Sequence, residues 1–218
     1  KKYPDKKWIV GAGWDQNNWK DKQFPTKDSL DVHFPDIPIF LSRIDYHAAL
    51  VNAKALEIAQ LDTAQTVEGG LIASNSLGVP TGLLIDNAMA LVQKFIPVET
   101  ENKLLKNLKQ TQDSLFSVGL TSIVDAGLTE EQLDFLKIFY LKDSLKIRNY
   151  AMLFAEPHNI DRFLKDDIYE SDRLTVKSVK LMADGALGSR GAALLSNYSD
   201  DSTKSGFLLH SPEEFDVA

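Results

Sequence analysis

The sequence predicts an α/β fold with a mostly parallel sheet, and three observations carry that expectation. Apolar runs of strand length alternate with stretches of helical spacing. Polar residues gather just after the strand-like runs, where parallel α/β proteins bind ligands. The chain has 218 residues, enough for one large or two small domains.

The elements follow in order. Trp8–Gly13 reads as a buried strand entering a glycine loop, and residues 37–44 as a second strand. Ala48 to Leu61 has helical spacing through Leu50, Val51, Ala55, Ile58 and Ala59. Residues 69–73 and 81–85 flank Ser76-Leu77-Gly78-Val79-Pro80, which predicts an inserted hairpin over about 66–86. Asn87–Phe95 reads as a short helix. Thr100 starts a long one that carries Leu104, Leu105, Leu108, Leu115 and Phe116 and stops at Gly119. Leu120–Asp125 is a strand, and Thr129-Glu130-Glu131-Gln132 is a capping box opening a helix to Leu141. Ile147–Phe154 is a strand, Pro157–Lys165 a helix, Thr175–Ala183 a strand, and Asp184–Gly191 a glycine-rich loop. A short strand at Gly206–Leu209 precedes a second helix start, Ser211-Pro212-Glu213-Glu214.

Strands separated by helices imply right-handed crossovers. A closed barrel of this kind needs eight strands and typically about 250 residues. About five strands are visible here, so the expectation is part of such a barrel or a smaller open sheet. A helix start with little helix behind it, and Lys1 where Met would stand, predict that residues 1–218 are an internal segment of a longer protein.

Composition removes several classes of function. Apolar residues make up 44% and charged residues 25%, an ordinary globular balance. The 31 acidic residues outnumber the 24 basic ones, and no basic stripe offers itself to phosphates, so a nucleic-acid partner is not expected. No apolar run reaches the roughly 18 residues of a membrane span. The absence of cysteine excludes disulfides, thiolate zinc sites and a cysteine nucleophile, and leaves the compartment open.

Asp15, Asp45, Asp125 and Asp184 each follow an apolar run, which predicts an acidic mouth suited to a metal or a cationic group. Single aspartates also serve as loop residues and helix caps. Lys180 sits in an apolar run, with Lys180, Met182 and Asp184 on one strand face. A desolvated ammonium loses its proton more readily. A neutral amine forms a carbamate with carbon dioxide or a Schiff base with a carbonyl; the plain alternative is a Lys–Asp ion pair. The loop Asp184–Gly191 offers backbone N–H groups and Arg190 to an anion. It matches neither a Walker loop nor a dinucleotide fingerprint. His33, His158 and His210 read as surface or packing residues. His47 differs, because it follows a strand and stands two residues after Asp45. Trp14 and Trp19, beside Asp15, are candidates to line a pocket.

These residues carry a family resemblance. Trp8-Ile9-Val10-Gly11-Ala12-Gly13-Trp14-Asp15 and Arg43-Ile44-Asp45-Tyr46-His47, with Asn52 following, resemble segments of YtcJ-like metal-dependent amidohydrolases (amidohydrolase family 3). So do Gly69-Gly70-Leu71-Ile72, Gly78-Val79-Pro80-Thr81-Gly82-Leu83, Gly119–Gly127 and Lys180–Arg190, in order along nearly the whole chain. The resemblance implies a (β/α)8 TIM barrel that hydrolyses an amide-type C–N bond with water activated by zinc or another divalent metal. The substrate class implied is a small N-acyl or amide-type molecule. It also implies that Lys180 is a carboxylated metal ligand, that Asp184 and His47 are catalytic, and that Asp45, Arg190, Trp14 and Asp125 lie on the substrate side. The family's HxH pair, its later histidines and its last aspartate are absent from this sequence. Tyr46 stands where many relatives carry glycine, and Val124 where many carry histidine. The segment alone is therefore expected to be inactive, to hold zinc weakly or not at all, and to self-associate through exposed sheet edges. Two other functions compete: a lyase using Lys180 as a Schiff base, and a non-catalytic ligand-binding domain.

Overall fold

The computed structural model describes residues 7–61, 65–155 and 169–217. The chain forms two compact units. One comprises the residues up to Pro97 together with Met182–Phe215, and the other Val98–Leu181. Among the described residues no helix is long and apolar enough to cross a membrane.

The first unit is built on a five-stranded sheet. Its strands are β1 (Ile9–Trp14), β2 (Ile39–Arg43), β3 (Ala48–Val51), β4 (Gly70–Ser74) and β5 (Pro80–Asp86), in the spatial order β1-β2-β3-β5-β4. Only β1 and β2 are parallel; β2/β3, β3/β5 and β5/β4 are antiparallel. This corrects one expectation, since the first sheet is mixed rather than mostly parallel. The expected hairpin is present as β4 and β5, and it extends that sheet. The start of the expected helix at Ala48 is also strand: after the short α1 (Asp28–His33), α2 covers only Ala53–Ala59.

The reason for the misreading is burial. All four residues of Ala48-Ala49-Leu50-Val51 are buried, because the sheet is covered on both sides. Ala49 and Val51 pack with Phe40, Leu84 and α2, while Ala48 packs on the other face with Leu83 and Ile85. A strand buried on both faces loses its polar alternation and imitates a helix in sequence. Asn52 then stops the strand and caps α2. Its Oδ1 accepts from Ala55 N (3.2 Å) and Ile39 N (2.9 Å), and its Nδ2 donates to Phe34 O and Ile37 O, each at 2.9 Å.

The second unit follows expectation more closely. The long helix spans Glu101–Ser117. Its one buried residue is Gln112, whose Oε1 accepts from Lys146 N (2.5 Å) and Ile147 N (3.1 Å). Strands β6 (Ser122–Leu128), β7 (Arg148–Phe154) and β9 (Leu174–Lys180) are parallel, and the short β8 (Tyr169–Glu170) pairs antiparallel with β9. The helix Glu130–Leu141 opens with the expected capping box on Thr129 and Gln132. It buries Leu133, Leu136 and Phe139 against Ala151, Leu153, Leu174 and Val176. The second capping box is also present: Ser211 N donates to Glu214 Oε2 (2.8 Å) and Glu214 N to Ser211 Oγ (3.3 Å). The helix expected at Pro157–Lys165, with His158, lies outside the described residues.

Candidate functional site

Polar groups converge at one end of the first sheet. β1 and β2 end there in parallel, and β5, antiparallel to β3, ends beside the start of β3. Asp15, Arg43, Asp45, His47 and Asp86 therefore come from four strand ends at one rim.

Arg43 organises one half of the rim. Its side chain is only 3% exposed and is fully engaged. Nη2 donates to Asp15 Oδ1 and Nη1 to Asp45 Oδ2, each at 2.5 Å, and Nε donates to Gln16 Oε1 at 2.8 Å. Gln16 Nε2 in turn donates to Gly188 O (3.0 Å). Two carboxylates on one buried guanidinium are charge-assisted contacts of the stronger kind. The glycine-rich loop closes directly on this group: a Cβ at Gly188 would stand 2.6 Å from Arg43 Nη1. The expected anion-binding loop is thus packed on the site's own residues.

His47 and Asp86 form the other half. Asp86 N donates to His47 O (3.0 Å), and the His47 Nδ1–Asp86 Oδ1 distance is 2.6 Å. The Asp86 side chain is 1% exposed and that of His47 25%. His47 is further fixed by its N–H, which donates to Asp45 Oδ1 (3.1 Å). Between them Tyr46 takes a left-handed conformation (φ 61°), the conformation for which glycine is the default residue.

The aromatic side of the rim joins two more expected residues. Trp14 Nε1 donates to Leu41 O (2.7 Å), so its polar edge is spent on the backbone. Its ring stacks on Trp19 and meets Phe24 edge-on. The Arg190 guanidinium lies 5.0 Å from the Phe24 centroid and donates to Asp200 (Nη2 to Oδ2, 2.9 Å). Asp200 is thereby held below the usual carboxylate range, chiefly by that hydrogen bond. Asp184 sits at the base of the loop, where its Oδ2 accepts from Ala193 N (2.9 Å).

Lys180 and Asp125 belong to the second unit. Lys180 is half-buried and ends β9 opposite Phe154. The register skips Lys177, a bulge that puts Lys180 on the face of Met152 and Phe154. Asp125 pairs with Ala151 and so points to the other face, towards the helix Glu130–Leu141. Burial raises its carboxyl above the ordinary range, and a hydrogen bond from Asn149 opposes that. Asp125 therefore departs from its expected place: β6 runs on to Leu128, so Asp125 is a mid-strand residue on the face away from Lys180. Two clefts of this unit, of about 310 and 360 Å³, open beside Ser122 and Arg148 and beside Tyr140 and Tyr169 respectively, with Arg173 lining both, and neither includes Lys180.

Among the described residues no three His, Asp or Glu side chains converge as a metal ion would need. His33 and His210 are exposed, as expected of surface residues. Sequence reasoning missed Asp86 and Gln16. The signal for Asp86 is present in the sequence, since it closes the apolar run Leu83-Leu84-Ile85.

Comparison with known proteins gives this rim a context. The model of the amidohydrolase family matches residues 1–218. The amidohydrolase YtcJ of Bacillus subtilis is 30% identical over 96% of this chain and 40% of its own length. The N-substituted formamide deformylase of Arthrobacter pascens is 27% identical over 60% of this chain and 25% of its own. A metal-dependent hydrolase of Pyrococcus horikoshii superposes with a TM-score of 0.62 at 28% identity, covering 97% of this chain and 41% of the other. The chain thus spans about two-fifths of YtcJ and of that solved hydrolase. It belongs to the amidohydrolase family.

Proposed function

We propose that this chain is one segment of a (β/α)8 hydrolase that cleaves a non-peptide, amide-type C–N bond in a small molecule, with water activated by a divalent metal, zinc being the expected one. The observation that carries the reading is the His47–Asp86 pair, its carboxylate buried and its imidazole partly open to solvent, beside two carboxylates at a single sheet rim. The formamide deformylase among the relatives supports the bond type, and the metal-dependent hydrolase supports the metal.

The described residues do not complete a metal centre. Lys180, as a carboxylated lysine, is this chain's candidate contribution to one. The roles of the chain's own residues are these. His47 carries a proton to or from the reacting nitrogen. Asp45, locked on Arg43, orients the substrate N–H, and the Trp14–Phe24–Arg190 strip receives its apolar and anionic ends. Asp184 holds the loop that covers the rim and stands as a second proton-handling candidate.

The test is release of free amine from N-acyl amino acids and N-substituted formamides by the product of the full reading frame that carries this sequence. Turnover that is lost to a chelator, restored by zinc and reduced at least tenfold in His47→Gln supports the reading. Chelator-resistant turnover, or borohydride trapping of substrate on Lys180, overturns it. The 218-residue chain alone is expected to release no amine.

A further inference from the structure

We infer that Asp86 is the positioning residue of this rim: its buried carboxylate keeps the imidazole proton of His47 on Nδ1 and so leaves the lone pair on Nε2, with Gly185 and Gly191 sealing the carboxylate from water. The inference rests on the proposed proton-handling role of His47 and concerns how that role is set.

The arrangement begins in the sheet register. β3 and β5 pair Ala48 with Ile85, so the next residues outward, His47 and Asp86, face each other across the strands. The backbone bond Asp86 N to His47 O fixes that pairing, and the side chains meet at 2.6 Å. The carboxylate has no comparable contact on its other oxygen: Asp86 Oδ2 is buried without a hydrogen-bond partner among the described residues. A buried anion needs an opposite charge or donors. Arg43 is already shared by Asp15 and Asp45. The imidazole is therefore the donor in hydrogen-bond contact with Asp86. An ionised carboxylate only accepts, so the shared proton belongs to Nδ1, and a neutral ring then bears its lone pair on Nε2.

Two further features fit a built device rather than a chance contact. A Cβ at Gly185 or at Gly191 would run into Asp86 Oδ2, so glycines from one loop wall off the free oxygen and hold the carboxyl plane. Asp86 itself has φ 48° and ψ −123°, a conformation that costs free energy for a non-glycine residue and persists where the surroundings impose it.

The deciding measurement is nitrogen-15 NMR of the imidazole rings in the 218-residue chain, with His47 assigned through His47→Gln. The expected result is a pyrrole-type Nδ1, a pyridine-type Nε2 and a slowly exchanging, far-downfield Nδ1 proton. Asp86→Asn should abolish that tautomer preference while circular dichroism stays unchanged. A pyridine-type Nδ1 in the parent protein overturns the inference, as does an unchanged tautomer in a folded Asp86→Asn. Should that variant fail to fold, Gly191→Ala keeps the carboxylate but crowds its seal, and Nδ1 proton exchange should then quicken. Unchanged exchange counts against the inference. In the full-length hydrolase Asp86→Asn is expected to lower kcat about 10–100-fold, the range typical of orienting partners, with KM nearly constant. A pyrrole-type Nδ1 in a protein that hydrolyses no amide leaves Asp86's role standing and removes the proposed function instead.

Discussion

Replacing Arg43 with Met tests the organisation of the rim most directly. The substitution keeps the apolar stem and removes a guanidinium that is 3% exposed. Removing one partner of a buried ion pair generally costs about 3–5 kcal/mol, because the other charge is stranded. Here the stranded groups are Asp15 and Asp45, whose side chains are 21% and 20% exposed. Water screens part of their repulsion, which places this contribution near about 3 kcal/mol. Gln16 adds to it, since its buried Oε1 loses the Nε donor at 2.8 Å, a loss of roughly 1 kcal/mol or more. The expected total is about 4 kcal/mol. Urea unfolding followed by tryptophan fluorescence reads it cleanly, because Trp8, Trp14 and Trp19 are all in the unit that holds Arg43. With a urea slope of about 2 kcal/mol per molar, the midpoint should fall by about 2 M. Adding Asp45→Asn should recover about 1–3 kcal/mol, the coupling expected of residues in one network. A loss below about 1 kcal/mol would refute the reasoning, for it is the value of a solvated surface pair.

Other substitutions read other links. Tyr46→Gly relieves a left-handed residue that is 69% exposed and should stabilise the first unit by about 0.5–1 kcal/mol, seen as a rise in the tryptophan-monitored midpoint. Thr129→Ala removes the capping box of the helix Glu130–Leu141 and should lower the stability of the second unit by about 1 kcal/mol, followed by far-ultraviolet circular dichroism. Tyr140 is pushed up to about 12, first by burial and then by the Asp125 charge, while its hydroxyl donates to Ile147 O at 2.9 Å. The folded state thus holds this proton more tightly than the unfolded chain, whose tyrosines titrate near 10. The resulting stability is fully present below pH 10 and is lost as pH rises towards 12. Tyr140→Phe should flatten that decline and remove the last step of an ultraviolet phenolate titration.

What the sequence made legible follows from how local each signal is. The capping boxes at Thr129 and Ser211 are written within four consecutive residues, and both are present. The parallel strands β6, β7 and β9 stand out because helix-spaced residues and polar loops bracket them. Ala48–Val51 failed for the opposite reason: burial on both faces erased the alternation that marks a strand. The hairpin at β4 and β5 is legible from its own turn residues, but its place in the main sheet depends on β3 being a strand, and only that pairing sets Asp86 beside His47. His47 and Asp45 remained visible because they stand two residues apart in one segment, whereas the His47–Asp86 contact spans 39 residues and exists only through antiparallel register. Asp125 shows the converse limit. Strand periodicity assigns it a face only after the register with β7 is known, and three further residues of strand remove it from the end of β6. Chemistry that sits on one loop can therefore be read from residue types, while chemistry assembled by strand pairing requires the pairing first. The bulge at Lys177 makes the point sharply: one unpaired residue decides which face Lys180 occupies, and no residue type in that stretch announces it.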